Sequence, residues 1–74
     1  MLFISISELE AAINYWRTLS PPHGDALELC KEVTALSKPY AILIIQGAQR
    51  LAIDHLDAEA LKAWNVYQAS IKNN

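Results

Sequence analysis

The run Pro39-Tyr40-Ala41-Ile42-Leu43-Ile44-Ile45 carries no charge and a single side-chain polar group, the Tyr40 phenol. It lies mid-chain in 74 residues, between segments of amphipathic periodicity, so it is expected to form the core rather than a catalytic motif. Its conformation is contested by two kinds of signal. Ile42, Leu43, Ile44 and Ile45 favour strands by propensity, but one short strand without a partner would leave backbone donors unpaired. The reading adopted is a short, mostly buried helix ending near Gly47. Pro39 disfavours helical geometry at Lys38 and suits the first turn of a new helix, which places a break at Ser37-Lys38.

The flanking segments read as helices. Residues 2 to 6 suit a short extended arm, and Ser7 with Glu10 is a capping-box pair; Ser5 with Glu8 offers the same pairing two residues earlier. Leu9, Ala12, Ile13 and Trp16 then form one apolar stripe, with Arg17 near the C-terminal end and Pro21-Pro22 as the stop. Ser20 to Gly24 is a turn. Asp25 caps a second helix carrying Ala26, Leu29, Cys30, Val33 and Leu36 at helical spacing. Residues 48 to 56 are irregular or briefly extended, pinned by Leu51, Ile53 and Leu56. Asp57 caps a last helix whose stripe is Leu61, Trp64, Gln68 and Ile71, flanked by Tyr67.

These elements predict an all-α fold, a small single domain over residues 1–74 with about four short helices and a short extended N-terminal arm. Its expected core is Leu9, Ile13, Trp16, Leu29, Val33, Leu36, Leu43, Ile44, Leu61, Trp64 and Ile71. A mixed fold, with a strand pair from residues 2 to 6 and 51 to 53, stands second.

Composition excludes several function classes. Eight acids against six bases give a formal net charge of −2, which provides no electrostatic footprint for a polyanion and disfavours nucleic acid. The longest apolar run is about seven residues where a membrane span needs about 20. Met1 to Ile6 lacks the features of a signal peptide, and one cysteine forms no internal disulfide, so a cytoplasmic setting is expected. A domain this small, without disulfide or metal, is a candidate for stabilisation by association.

The stretch Glu8-Leu9-Glu10-Ala11-Ala12-Ile13-Asn14-Tyr15-Trp16-Arg17, followed by Leu29-Cys30, Glu32-Val33, Leu36 and Tyr40, resembles a group of short proteobacterial proteins classed as a domain of unknown function. The similarity covers most of the chain, although the group's pattern has proline where Lys31 stands. The resemblance implies a small bacterial protein with no assigned activity and carries over no catalytic or binding residue.

Each candidate site competes with a structural role. Cys30 falls on an apolar stripe, where cysteine acts as a small hydrophobe. His23, Asp25, Asp54, His55 and Asp57 include donors suited to a metal, but Asp25 and Asp57 are expected caps and the spacing matches no ligand motif. Glu8/Glu10 and Asp54/Asp57 are likewise expected caps and solvated charges. Tyr15 and Arg17, flanking Trp16, are residue types common in binding hot spots and form a candidate docking ridge. Lys62, Asn65, Gln68 and Lys72 on the last helix are types that can contact DNA, but Glu59 would face the phosphates.

No cofactor and no enzymatic activity are therefore expected. The preferred function is a cytoplasmic protein-protein interaction module, an adaptor or regulator working through a helical face or as a homodimer, with its protein partner unidentified. A small DNA-associated transcriptional regulator is the alternative. A tiny enzyme or metal protein built on His23, Cys30 and His55 ranks third.

Overall fold

The structure, a computed structural model, describes residues 2–19 and 31–72. It is a small helical domain with a two-stranded ribbon. In chain order it comprises β1 (Phe3–Ser5), α1 (Ile6–Leu19), α2 (Lys31–Gln46), β2 (Arg50–Ala52), a 3₁₀ turn (Ile53–His55) and α3 (Ala58–Lys72). The expected turn at Ser20 to Gly24, the Asp25 cap, Leu29 and Cys30 lie outside the described residues.

The start of α1 is set by the earlier of the two capping pairs. The Ser5 N–H donates to Glu8 Oε1 at 2.9 Å and the Glu8 N–H donates to Ser5 Oγ at 3.1 Å, a reciprocal box. Glu10 instead accepts a 3.2 Å hydrogen bond from the Tyr40 hydroxyl, which ties α1 to α2. Leu9, Ala12 and Ile13 bury the expected stripe and Trp16 packs against its end.

The break expected at Ser37-Lys38 is absent, because α2 runs continuously through Pro39. An interior proline has no N–H for the Ala35 carbonyl and costs about 3 kcal/mol. The compensation is registry. Val33, Leu36 and Leu43 are buried and Tyr40 packs beside them, at a spacing of three, four and three residues that only an unbroken helix keeps on one face. Two expected helices are thus one, and the described residues hold three α-helices.

The apolar run is also less buried than its composition suggests. Leu43 is 3% exposed, but Ile42, Ile44 and Ile45 are 53%, 56% and 84% exposed. Consecutive residues on a helix diverge by about 100°, so four apolar neighbours do not share one face. Gly47 ends the helix at φ 65°, with its N–H on the Ile44 carbonyl at 3.2 Å and the Ala48 N–H on the Leu43 carbonyl at 2.9 Å. That is a Schellman termination, and it reverses the chain toward β2.

β1 and β2 pair antiparallel, with Phe3 opposite Ala52, Ile4 opposite Leu51 and Ser5 opposite Arg50. The strand pair that ranked second in the sequence reading is therefore present, appended to the helical domain. Ile4 and Leu51 point from this ribbon into the core at 1% and 9% exposure. Asp57 caps α3 as expected, its Oδ1 accepting from the Ala60 N–H at 2.8 Å. The buried face of α3 is rotated toward small residues: Ala60, Ala63 and Trp64 are buried, Leu61 and Tyr67 pack beside them, and Ile71 is 46% exposed. Ile44 and Ile71 thus leave the expected core, while Ile4, Ala35, Ala60 and Ala63 enter it.

Candidate interaction groove

An apolar concavity lies between the C-terminal half of α2 and the ribbon, with a volume of about 510 Å³. Pro39, Ile42, Leu43 and Gln46 line it from α2, and Phe3, Arg50, Leu51 and Ala52 line it from the ribbon, with His55 beside them. Its charged and titratable lining residues are Arg50 and His55, without a carboxylate, in a chain of net charge −2. The Arg50 guanidinium lies 4.5 Å from the centroid of the Phe3 ring, a cation–π contact across the ribbon. Ile45, one helical turn beyond Ile42, is 84% exposed and lies outside the lining.

Strand parity determines which backbone groups of the ribbon are already used. The Ile6 N–H donates to the Gln49 carbonyl and the Ile53 N–H to the Leu2 carbonyl, at 2.9 and 3.0 Å. Ladder bonds in an antiparallel pair recur at every second residue, so Ile4 and Leu51 form the bonded pair between these ends. Phe3, Ser5, Arg50 and Ala52 therefore turn their N–H and C=O groups away from the partner strand. On β1, Ser5 is occupied by capping α1. On β2, Arg50 and Ala52 make no further backbone bond among the described residues. Arg50 lies exposed on this side of the ribbon, whereas Ala52 is buried at 8% exposure.

The sequence candidates are scattered relative to this groove. Tyr15 packs edge-on against Trp16, with centroids 5.5 Å apart, and lies 5.4 Å from Tyr67; Trp64 and Tyr67 are 5.6 Å apart. With the Trp16 Nε1–H donating to the Ala63 carbonyl at 3.1 Å, this cluster joins α1 to α3. Arg17 projects into solvent in the last turn of α1. On α3, Lys62, Asn65 and Lys72 are exposed and Gln68 is half-buried, with Glu59 in the first turn. A smaller hollow of about 250 Å³ at the N-terminal ends of α2 and α3 is lined by Trp16, Lys31, Glu32, Glu59 and Lys62 among others, so its two lysines face two carboxylates.

Asp54 and His55 lie exposed in the 3₁₀ turn, whereas His23, Asp25 and Cys30 fall outside the described residues. Among the described residues no three His, Cys, Asp or Glu side chains gather as a metal site would require. No helix among them is long and apolar enough to cross a membrane.

The chain matches a family of proteins of unknown function over residues 2–69, from the start of the ribbon through most of α3. It belongs to the DUF3717 family. The match agrees with the resemblance carried by the α1 residues Glu8 to Arg17, and it brings no site residues with it. No curated protein and no solved structure gives a significant match to this DUF3717 chain.

The groove escaped the sequence reading for a specific reason. An apolar run reads as core whichever way its residues point, and only the register set by Val33, Leu36 and Leu43 shows that Ile42 and Ile45 fall outside it. The signal was present in the α2 stripe, once that stripe is continued through Pro39.

Proposed function

We propose that the DUF3717 chain is a non-enzymatic protein-interaction module whose working surface is the groove between α2 and β2. One observation carries this reading: Phe3 and Ile42 line an apolar groove and yet remain 48% and 53% exposed, with Ile45, 84% exposed, one helical turn beyond. Large exposed apolar side chains gathered round a groove mark an interaction site. The aromatic contacts of Tyr15 give it a structural task, which makes the Tyr15/Arg17 ridge the competing face.

The test places a photo-crosslinking amino acid singly at Ile42, Ile45, Arg17 or Asn14 in the full chain, expressed in cells. The expected result is protein adducts from positions 42 and 45, with fewer from 17 and 14. Adducts concentrated at position 17 would move the working surface to the α1 ridge. No adducts from 42 or 45 above the Asn14 background would overturn the groove reading.

A further inference from the structure

We infer that the groove's occupant is an amphipathic helix of a partner protein, its apolar stripe seated between α2 and the ribbon and a carboxylate on its flank held by Arg50. This deepens the interaction reading and rests on it. Charge selects the partner. Two other hollows on the described residues also hold cations, and in each a carboxylate stands with them: Glu32 and Glu59 with Lys31 and Lys62 in one, Asp57 and Glu59 with Lys31 and Lys38 in the other. The groove between α2 and the ribbon sets Arg50 and His55 in an apolar lining with no carboxylate beside them. Such a site is complementary to an acidic partner and penalises a basic one, even on a chain whose net charge is −2.

Arg50 is already ordered for that task. Its guanidinium lies over the Phe3 ring, 4.5 Å from the centroid. Contact through the guanidinium face leaves the in-plane N–H donors for a carboxylate, which takes them two at a time. His55, exposed beside the groove, adds a further ring N–H.

The two walls favour a helix over an added strand. A strand needs a free backbone edge, and Ala52, which would supply it next to Arg50, is buried. A helix satisfies its own backbone and docks through side chains alone. Pro39, Ile42, Leu43 and Gln46 follow the i, i+3, i+4, i+7 spacing of one helix face, so the α2 wall runs for about 10 Å, or two turns of an incoming helix.

The test is a double-mutant cycle across the interface. Photo-crosslinking from Ile42 or Gln46 of the full chain in cells identifies the partner segment, and a fluorescent synthetic peptide of that segment is the probe. Titrated with the full chain, the peptide should gain helical circular dichroism. Arg50→Gln should raise its Kd roughly ten- to hundredfold, and so should changing one acid of the peptide to its amide, while both changes together should cost no more than either alone. If Arg50→Gln does not fold, Arg50→Lys takes its place, keeping the charge without the planar fork, and should raise Kd several-fold. Additive losses, or a Kd indifferent to Arg50, would overturn the inference. A peptide that binds without becoming helical, or that does not bind, would do the same, as would adducts consisting of lipid or of a second copy of this chain. Each of these leaves the groove as the contact surface and removes only its assigned occupant. No adduct from either position would remove the occupant and the groove reading together.

Discussion

Replacing Pro39 with alanine tests whether α2 is truly one helix. Pro39 is the ninth of sixteen residues in α2, well inside the helix, so alanine restores the N–H that the Ala35 carbonyl lacks. The intrinsic gain is about 3 kcal/mol. Two effects oppose it. Alanine gives the unfolded chain more freedom, worth about 0.4–1 kcal/mol, and the half-buried ring loses packing worth up to about 1 kcal/mol. The net expectation is stabilisation by about 1–2 kcal/mol, which in a domain this small raises Tm by roughly 5–15 °C. Thermal and urea melts followed by far-ultraviolet circular dichroism, at concentrations where association is constant, provide the assay. An unchanged or lower Tm would refute the reasoning. It would mean that the Ala35 carbonyl loses nothing to proline, as it would if the chain broke at Ser37-Lys38.

Three further outcomes follow from the packing and the caps. Leu36→Ala should destabilise by about 3 kcal/mol in a denaturant melt, whereas Ile44→Ala should stay within about 0.5 kcal/mol, since Leu36 is 0% exposed and Ile44 56%; similar costs at both sites would contradict the assigned α2 face. Ser5→Ala should cost about 1 kcal/mol and Ser7→Ala only a few tenths, because the box that forms is Ser5 with Glu8; the reverse order by urea melt would relocate the start of α1. Tyr40 donates to Glu10, and this hydrogen bond, followed by desolvation and the nearby negative charge, holds the phenol above its ordinary value of 10.0. The neutral phenol is the form the fold favours, so its contribution is fully present below about pH 10 and is lost as pH rises through the raised value. The Tm difference between wild type and Tyr40→Phe should therefore close in that alkaline window; a difference that widens there would show that the bond does not hold the neutral phenol.

Local chemistry was the legible part of this chain. Asp57, Gly47 and the α1 stripe act where short-range rules put them, and of the two capping pairs those rules offered Ser5 with Glu8 forms and Ser7 with Glu10 does not, because a cap or a helix stop depends on a few adjacent residues. What escaped depended on long-range packing. The stop inferred at Pro39 treats the proline cost as decisive, but Val33, Leu36, Tyr40 and Leu43 gain more from a single face than the lost hydrogen bond removes. Alanines 35, 60 and 63 were invisible for a related reason. Their hydrophobicity is slight, and their value lies in letting helices approach closely, which no hydropathy pattern records. The strand pair is similar: β1 is three residues long, and only its partner 47 residues later makes it a strand.

The three exposed isoleucines of α2 mark the boundary between what folding explains and what it does not. β-Branched residues are weaker helix formers than alanine or leucine, and an exposed aliphatic gains little from burial. At positions 42, 44 and 45 the fold would be served as well by lysine or glutamate. Leu43 between them is explained by its place in the core, and Ile44 lies on the opposite side of α2 from the groove wall. Ile42 and Ile45 are left as residues whose character costs helix stability and solubility and returns nothing to the isolated domain. Substituting both with lysine should therefore preserve or raise the thermal stability of the domain while abolishing adducts from a photo-crosslinker placed at Gln46 in the groove wall. A loss of several kcal/mol of monomer stability on that double substitution would instead return these residues to the core, and with it remove the reason to look for a partner there.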